Sequence, residues 1–361
     1  MSGELTINLR KLQDNYQILD KLSSASCETA ASVKADSYGL GITHTAPALW
    51  QAGARRFFVA TVEEGISLRK ILPEAVIYTL NGFWEPLANE YKHYKIIPVL
   101  NSLYEIGRYQ SFAKQVGEVL PAILHFDTGM NRLGIPSCEA DTLAQDKALL
   151  DGIKLDYIMS HFSSSDEKSS SANERQYKIF KNIAKSYPNV KYSLCNSGGV
   201  FLSEKYHFDL TRPGIALYGG RPVLNMENIM HPVVSLKVPI LQVFSVKQGE
   251  TCGYNETYRF DKNSKIAIAS IGYADGVSRV LCNSASLYFN GKKMPIRGRI
   301  SMDLIICEIT GFSEGEMPKP GDMAEVIGMH QTLDNLARDA GTISYEILTS
   351  LSARYSRSYI T

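Results

Sequence analysis

The sequence predicts an α/β chain: an N-terminal (β/α)8 barrel over residues 1–224, followed by a smaller, mainly-β domain over residues 225–361. Three observations predict it. At 361 residues the chain exceeds the ~250–300 at which a single core stops growing, so two domains are the default. Eight short apolar runs recur up to about residue 210 with helical or polar stretches between most of them, as parallel strands covered on both faces require. Beyond about residue 225 the texture becomes β-rich, with turn signals such as Asn290-Gly291 and Pro320-Gly321. A doubly wound sheet is the weaker alternative for the first part, since eight units favour closure into a barrel.

In chain order, Leu9, Leu12, Tyr16, Leu19 and Leu22 stand at three-and-four spacing and predict an amphipathic helix over 9–22. The apolar runs are 31–34, 57–60, 76–80, 96–100, 122–126, 157–160, 192–195 and 208–210. Lys34 closes the first of them. Asp127 through Arg132 follow the fifth, His161 the sixth, Asn196-Ser197-Gly198-Gly199 the seventh and Arg212-Pro213-Gly214 the eighth. In a barrel these strand ends converge on the rim where active sites are built, and the loops after strands seven and eight commonly cradle a phosphate. Ser197 with its glycines and the Gly214-Ile215 backbone therefore read as a phosphate cup. Taken singly, Asn-Ser-Gly-Gly is an ordinary turn and Arg212 an ordinary surface cation. In the second domain, runs at 233–246, 265–271, 286–289, 294–296, 303–309 and 323–327 predict strands, and helical spacing returns over roughly 332–356.

Lys34 is the unusual residue of the first run. A charged lysine in an apolar setting costs several kcal/mol and escapes by losing its proton or by forming an imine, and either outcome makes or uses a nucleophilic amine. The bland alternative is a strand-end lysine whose head snorkels into water. Tyr38, Gly39 and Gly41 favour the chemical reading, because the glycines let backbone approach a ligand. Two further stretches, 252–258 around Tyr254 and 271–276 around Tyr273, are glycine-tyrosine turns, although a loop tyrosine is ordinarily a packing residue.

Composition narrows the partners. A net charge of +1 gives no basic surface for nucleic acid or anionic membrane. No run approaches 18 apolar residues, and the first residues carry an early acid and no apolar core, so neither a spanning helix nor a signal peptide is expected. The six cysteines lie far apart, with no Cys/His cluster at metal-ligand spacing, so reduced thiols in a cytoplasm and no metal are the expectation.

Six separated motifs, in order, resemble bacterial alanine racemase: the Lys34 stretch, Asp-Thr-Gly-Met-Asn-Arg-Leu-Gly at 127–134, Arg-Pro-Gly-Ile-Ala-Leu-Tyr-Gly at 212–219, the two tyrosine turns, and Arg-Ile-Ser-Met-Asp at 299–303. The resemblance runs from Leu9 to about Tyr359. It implies a barrel-type pyridoxal 5′-phosphate enzyme that interconverts L- and D-alanine, supplies D-alanine for peptidoglycan, and works as a cytoplasmic homodimer with shared active sites. It further implies that Lys34 carries the cofactor as a Schiff base and that Tyr38, Ser197, Gly214, Ile215 and Tyr345 hold the phosphate. Arg212 faces the pyridine nitrogen with His161 in support, Arg132 and Met302 orient the substrate carboxylate, and Tyr254 is the second acid/base beside Lys34. Tyr273, Asp166, Arg279 and Arg299 fall where the family narrows its substrate entrance. One departure is His125, which stands where many members carry a carbamylated lysine; a neutral acceptor nitrogen, another side chain or a bound anion are the options for steadying Arg132. A serine or broad-specificity racemase is the alternative. A barrel-type decarboxylase fits less well because such enzymes lack the Gly-Tyr-Asn-Glu-Thr-Tyr turn at 253–258, and a non-enzymatic cofactor carrier because carriers stop after the barrel.

Overall fold

A computed structural model of the chain describes residues 3–361. Two compact units result: Leu12–Leu217 with Arg221–Met230, and a second made of the residues up to Lys11, Tyr218–Gly220 and His231–Thr361. The residues up to Lys11, placed with the barrel by the sequence division at 224, cluster with the β unit. The reason is β1 (Glu4–Asn8), in which Leu5 and Ile7 are buried and their neighbours are not, a period of two that pairs with other strands of that unit.

The larger unit is a parallel barrel. Its strands are β2 (Glu28–Thr29), β3 (Ala31–Ser32), β4 (Arg56–Val59), β5 (Val76–Thr79), β6 (Ile96–Leu100), β7 (Leu120–His125), β8 (Ile153–Met159), β9 (Lys191–Ser193) and β10 (Leu210–Thr211). From β3 to β9 they form one parallel sheet in chain order, and β10 pairs with β2. Closure follows from four bonds: Asp209 N–H to Tyr192 O (3.0 Å) and Arg212 N–H to Cys195 O (2.9 Å) on one side of β10, and Ala30 N–H to Thr211 O and Ser32 N–H to Pro213 O (both 2.9 Å) on the other. All five residues of β6 are buried, as a strand covered on both faces requires. The connecting helices are α1 (Leu9–Leu22), α2 (Lys34–Gly39), α3 (Ile42–Ala52), α4 (Val62–Ile71), α5 (Ala88–His93), α6 (Leu103–Val116), α7 (Ser137–Gln145), α8 (Ser171–Ala184) and α9 (Ser197–Val200). Most are ordinary; α6, for example, starts on a Ser102 cap and ends at Gly117 in the left-handed region.

The barrel is filled, not hollow. Phe58 stacks on Tyr78 at 4.9 Å and Tyr78 meets Tyr157 edge-on at 6.3 Å, within a cluster that includes Val99, Ile123 and Met159. Toward the strand starts, Arg56 bonds Glu28 (2.7 Å) and the Tyr78 hydroxyl (2.9 Å), and that hydroxyl donates to Asp156 (3.1 Å). Polar side chains thus finish one end, and the opposite, strand-end rim is left for chemistry.

In the β unit the strands are β11 (Val234–Val246), β12 (Thr251–Cys252), β13 (Tyr258–Arg259), β14 (Ser264–Ala269), β15 (Ser286–Phe289), β16 (Lys292–Pro295), β17 (Ile305–Glu308), β18 (Met323–Ile327) and β19 (Ser356–Ile360). The 13-residue β11 is shared: its first half pairs with β1 and β18, its second with β14, with register shifts along the way. Asn290 and Gly291 both take positive φ, the hairpin geometry that this dipeptide signals. The helical spacing after 332 resolves into α10 (Leu333–Asp339) and α11 (Ser344–Thr349), after which β19 takes the alternating 356–360 stretch into the sheet beside β1.

Candidate active site

Lys34 lies just past the end of β3, with Val33 between, and the chain then does something costly. Ala35, Asp36, Ser37 and Tyr38 all have φ between 52° and 57°, so α2 is a left-handed turn of four non-glycine residues. Each such residue costs roughly 1–2 kcal/mol, so the turn must be held from outside. Its own bonds are Ser37 N–H to Val33 O (2.9 Å) and Gly41 N–H to Asp36 O (3.0 Å). Asp36 Oδ1 accepts from Ile42 N–H (2.7 Å), and the Thr45 hydroxyl donates to Ser37 Oγ (2.6 Å). The outside anchor is Glu64 of α4, whose two carboxylate oxygens accept from Ala35 N–H (2.8 Å) and Ala60 N–H (2.7 Å). The half-buried Lys34 amine has its pKa lowered, chiefly by burial and next by the Arg132 guanidinium, with Glu64 acting in the opposite direction. Loss of the proton yields the nucleophilic amine.

The turn delivers Tyr38, 5% exposed, to the loop after β10. A Cβ on Gly214 would collide with the Tyr38 hydroxyl, so this close approach requires glycine. Burial raises the Tyr38 pKa, which keeps it a neutral hydrogen-bonding group. Ser197, buried at the start of α9, accepts through Oγ from Gly214 N–H (2.8 Å) and Ala216 N–H (3.3 Å). Asn196 caps that turn by accepting from Gly199 N–H (3.1 Å) and the Ser165 hydroxyl (2.6 Å). The structure therefore brings Tyr38, Ser197, Gly214 and the buried Ile215 together.

Arg212, 5% exposed, is held by neutral partners throughout. It donates to Ser160 O (2.7 Å) and to Ser193 Oγ, whose own hydroxyl donates to Leu210 O (2.6 Å), and one Nη reaches His161 Nδ1 at 3.4 Å. Burial lowers the Arg212 pKa to about 10, so it stays cationic at neutral pH. The same burial, with Arg212, Arg132 and Lys34 nearby, lowers the His161 pKa well below its ordinary value and keeps that ring neutral.

Arg132 lies in a loop built by Asp127, whose carboxylate accepts from the N–H groups of Gly129 (2.9 Å), Met130 (2.9 Å) and Asn131 (3.1 Å). Gly134 closes the loop at φ 124°, where a Cβ would sit 2.8 Å from Asp127 N. Beneath it His125 is buried, with Nδ1 2.8 Å from Asn101 Oδ1. The Asn101 amide nitrogen donates to Val99 O (2.7 Å) and Leu80 O (3.3 Å), so Oδ1 must be the acceptor and His125 Nδ1 must carry the proton. Nε2 is therefore a fixed acceptor. Burial, then Arg212 and Arg132, lower the His125 pKa to about 3.

In the β unit, Tyr254 opens a short turn, 67% exposed, and among the described residues no hydrogen bond of its hydroxyl is present. Gly253 before it has φ 74° and packs against Arg299 N. The Tyr273 and Met302 loops are tied by Tyr273 N–H to Ser301 O (3.1 Å) and Ala274 N–H to Met302 O (3.0 Å). Arg279 lies 6.0 Å over the Tyr273 ring, and Arg279 and Arg299 line one open cavity with Thr257, Cys282 and Asn283. Tyr345 is half-exposed on α11. Asp166 is exposed in the barrel unit. No His/Cys/Asp/Glu cluster able to hold a metal occurs among the described residues.

Sequence reasoning missed Glu64, Asn101 and Gln176, buried or half-buried side chains of which Glu64 and Gln176 fix loops carrying named residues and Asn101 orients the His125 ring. Gln176 of α8 donates to His161 O (2.9 Å) and Thr128 Oγ1 (3.2 Å), joining the loops after β7 and β8. The Thr61-x-x-Glu64 spacing is a capping-box signal, but it speaks for a helix start and not for a reach to Ala35.

Comparison with known proteins agrees along the whole chain. The family models described as "Alanine racemase, N-terminal domain" and "Alanine racemase, C-terminal domain" match residues 7–222 and 233–359. The chain is 44% identical over 357 residues to an alanine racemase of Rickettsia akari (99% of this chain, 98% of that one). It is 42% identical over 360 residues to a catabolic alanine racemase of Agrobacterium fabrum (99% and 92%). Its fold matches an alanine racemase of Bartonella henselae, solved with covalently bound pyridoxal phosphate, with a TM-score of 0.96 at 40% identity and full coverage of both chains.

The neutrality of His125 has a measurable sign. Its folded pKa of about 3 lies below the unfolded value near ~6.5, so between them only the unfolded chain binds this proton, and stability present above ~6.5 is lost as pH falls. One such proton weakens the folding equilibrium about tenfold per pH unit. In urea unfolding between pH 6 and 4, His125→Gln, which retains an N–H for Asn101, is expected to flatten the pH slope by about that factor. An unchanged slope would assign the proton elsewhere.

Proposed function

The chain belongs to the alanine racemase family, and on that premise we propose that the barrel rim around Lys34 and the Tyr254 turn form a two-base racemisation site. The activity is interconversion of L- and D-alanine with pyridoxal 5′-phosphate as cofactor. The observation that carries the site assignment is the lowered Lys34 pKa at a rim whose other strand ends bear Ser197 and Arg212.

The residues present fit the cofactor. Gly198 and Gly214 leave no room for a Cβ beside Ser165 and Tyr38, and the Tyr38 and Ser197 hydroxyls with the Gly214-Ile215 backbone, whose Gly214 N–H would turn from Ser197, are the groups that would hold a phosphate; membership of the family suggests Tyr345 as a further hydroxyl. Pyridoxal phosphate, held on Lys34 at rest, would pass to the substrate's own amino group when the amino acid binds; that would make the Cα proton removable and free the Lys34 amine to act as a base. Arg212, which has only donors and cannot take up a proton, would face the ring nitrogen and leave it unprotonated, which would weaken electron withdrawal and disfavour transfer of the amino group. His161 backs Arg212 as a neutral ring. Arg132 and the Met302 backbone orient the substrate carboxylate, and His125 supplies a neutral acceptor nitrogen where an imidazole can form no lysine-type carbamate.

Racemisation removes a proton from one face of Cα and returns one to the other, so it needs two groups. Lys34 Nζ serves the D-enantiomer and the Tyr254 phenol oxygen the L-enantiomer. Tyr254 is exposed in its own chain, which suits a residue that completes a partner's site, and the working form is a homodimer in which each site takes Lys34 from one chain and Tyr254 from the other. Tyr273, Asp166, Arg279 and Arg299 narrow the entrance. No helix among the described residues is long and apolar enough to cross a membrane, and all six cysteines are free, in keeping with a cytoplasmic enzyme that supplies D-alanine for peptidoglycan.

Three experiments follow from this reading. Assayed side by side, alanine is expected to racemise far faster than serine or lysine; equal kcat/KM for lysine would make the enzyme a broad-specificity racemase. Tyr254→Phe is expected to abolish exchange of the α-proton of L-alanine with solvent deuterium while D-alanine still exchanges; equal loss from both enantiomers contradicts the two-base assignment. Co-expression of Lys34→Ala and Tyr254→Phe chains, each inactive alone, tests the shared site. About half of the dimers are mixed and each has one intact site of two, so recovery of roughly a quarter of full activity is expected, and recovery at background would place both groups on one chain.

A further inference from the structure

We propose that Glu64 is a positioning residue for the reaction: its single carboxylate fixes the left-handed turn that presents Lys34 and Tyr38 to the site. The two oxygens are used separately, one on Ala35 N–H at 2.8 Å and one on Ala60 N–H at 2.7 Å. Ala35 is the residue after Lys34, and Ala60 follows the end of β4, the strand that pairs with β3. Glu64 therefore clamps the exits of two neighbouring strands, and the clamp closes on the first residue of a four-residue run at positive φ. Without that acceptor, Ala35 N–H is left without its partner and the turn loses what opposes its relaxation to ordinary backbone. Relaxation would move Lys34 and Tyr38 together, because they bound the same turn.

A carboxylate is required on two grounds. The two N–H donors are met by different oxygens of the carboxylate, and glutamine keeps only one of them, with an NH2 group facing the other donor. The charge also acts on the Lys34 amine. Around that amine, Arg132 from the loop after β7 opposes protonation, His161 after β8 is neutral, and Glu64 favours protonation. Glu64 so limits how far the amine is depressed, besides setting where it points.

The inference rests on Lys34 being the cofactor lysine, and the test separates the two. In the holoenzyme, Glu64→Gln is expected to lower kcat for alanine by tenfold or more, with KM changed less than about threefold, and to release cofactor faster on dialysis. Glu64→Asp, charged but one methylene shorter, is expected to fail similarly in kcat. The second readout uses the full-length chain stripped of cofactor: the rate at which added pyridoxal phosphate forms a borohydride-reducible bond rises with pH as the amine loses its proton. In Glu64→Gln the half-rise is expected to move to lower pH by roughly half a unit or more, while Glu64→Asp keeps it near the unsubstituted value. Unsubstituted kcat and an unmoved half-rise in Glu64→Gln overturn the proposal, as does a lower melting temperature with kcat and half-rise unchanged. Borohydride labelling of the unsubstituted protein at a lysine other than Lys34 defeats the underlying site assignment instead.

Discussion

Positive charge buried without a counter-ion is the constraint on which the rest of this site depends. Arg212 is almost wholly enclosed, yet its hydrogen bonds run to carbonyls, a serine hydroxyl and a neutral imidazole. Arg132 and Lys34 are close enough to depress the neighbouring histidines, and no carboxylate partner to Arg212 is present among the described residues. A lone buried charge is expensive, and a protein tolerates it where a ligand of opposite sign completes the balance. A phosphate and an amino-acid carboxylate are such ligands. The neutrality of His125 and His161 follows from the same field, since two more cations in that space would raise the cost further.

The depressed Lys34 amine is another expression of this field, and it explains why the turn after it is built as it is. In the two-base site we propose, an amine that gives and takes a proton at one carbon needs fixed direction as well as a suitable pKa. A left-handed run of four non-glycine residues is a stiff way to obtain it. The chain would not adopt that run unaided, so its direction is secured by groups outside it, with Glu64 foremost.

Much of this was legible in sequence, for reasons that can be named. The eight apolar runs, the amphipathic 9–22 stretch and the Asn290-Gly291 turn each carry a local period or dihedral requirement that one sequence displays. The positions of Lys34, Arg132, Ser197 and Arg212 past strand ends were readable because an apolar run stops shortly before each. Glu64, Asn101 and Gln176 were not, because their roles depend on reaching groups on a different element, and nothing in the residues beside them encodes that reach. The backbone of α2 was hidden for a related reason: Ala35, Asp36 and Tyr38 carry no preference for positive φ strong enough to announce it. β1 was overlooked although its alternation is plain, since a five-residue strand ahead of a long helix reads as a leader to that helix until its partners are seen.

Those partners give β1 a temporal property. It lies antiparallel to β11 and parallel to β19, strands that begin some 230 and 350 residues after it. Every hydrogen bond that places Glu4–Asn8 in its sheet therefore waits for chain not yet made, whereas the barrel, closed between residues 28 and 213, can complete its ring while the β unit is still being synthesised. Until then Leu5 and Ile7 have no sheet to bury them. Slow synthesis of the second part therefore prolongs the time for which this apolar pair lacks its partner strands.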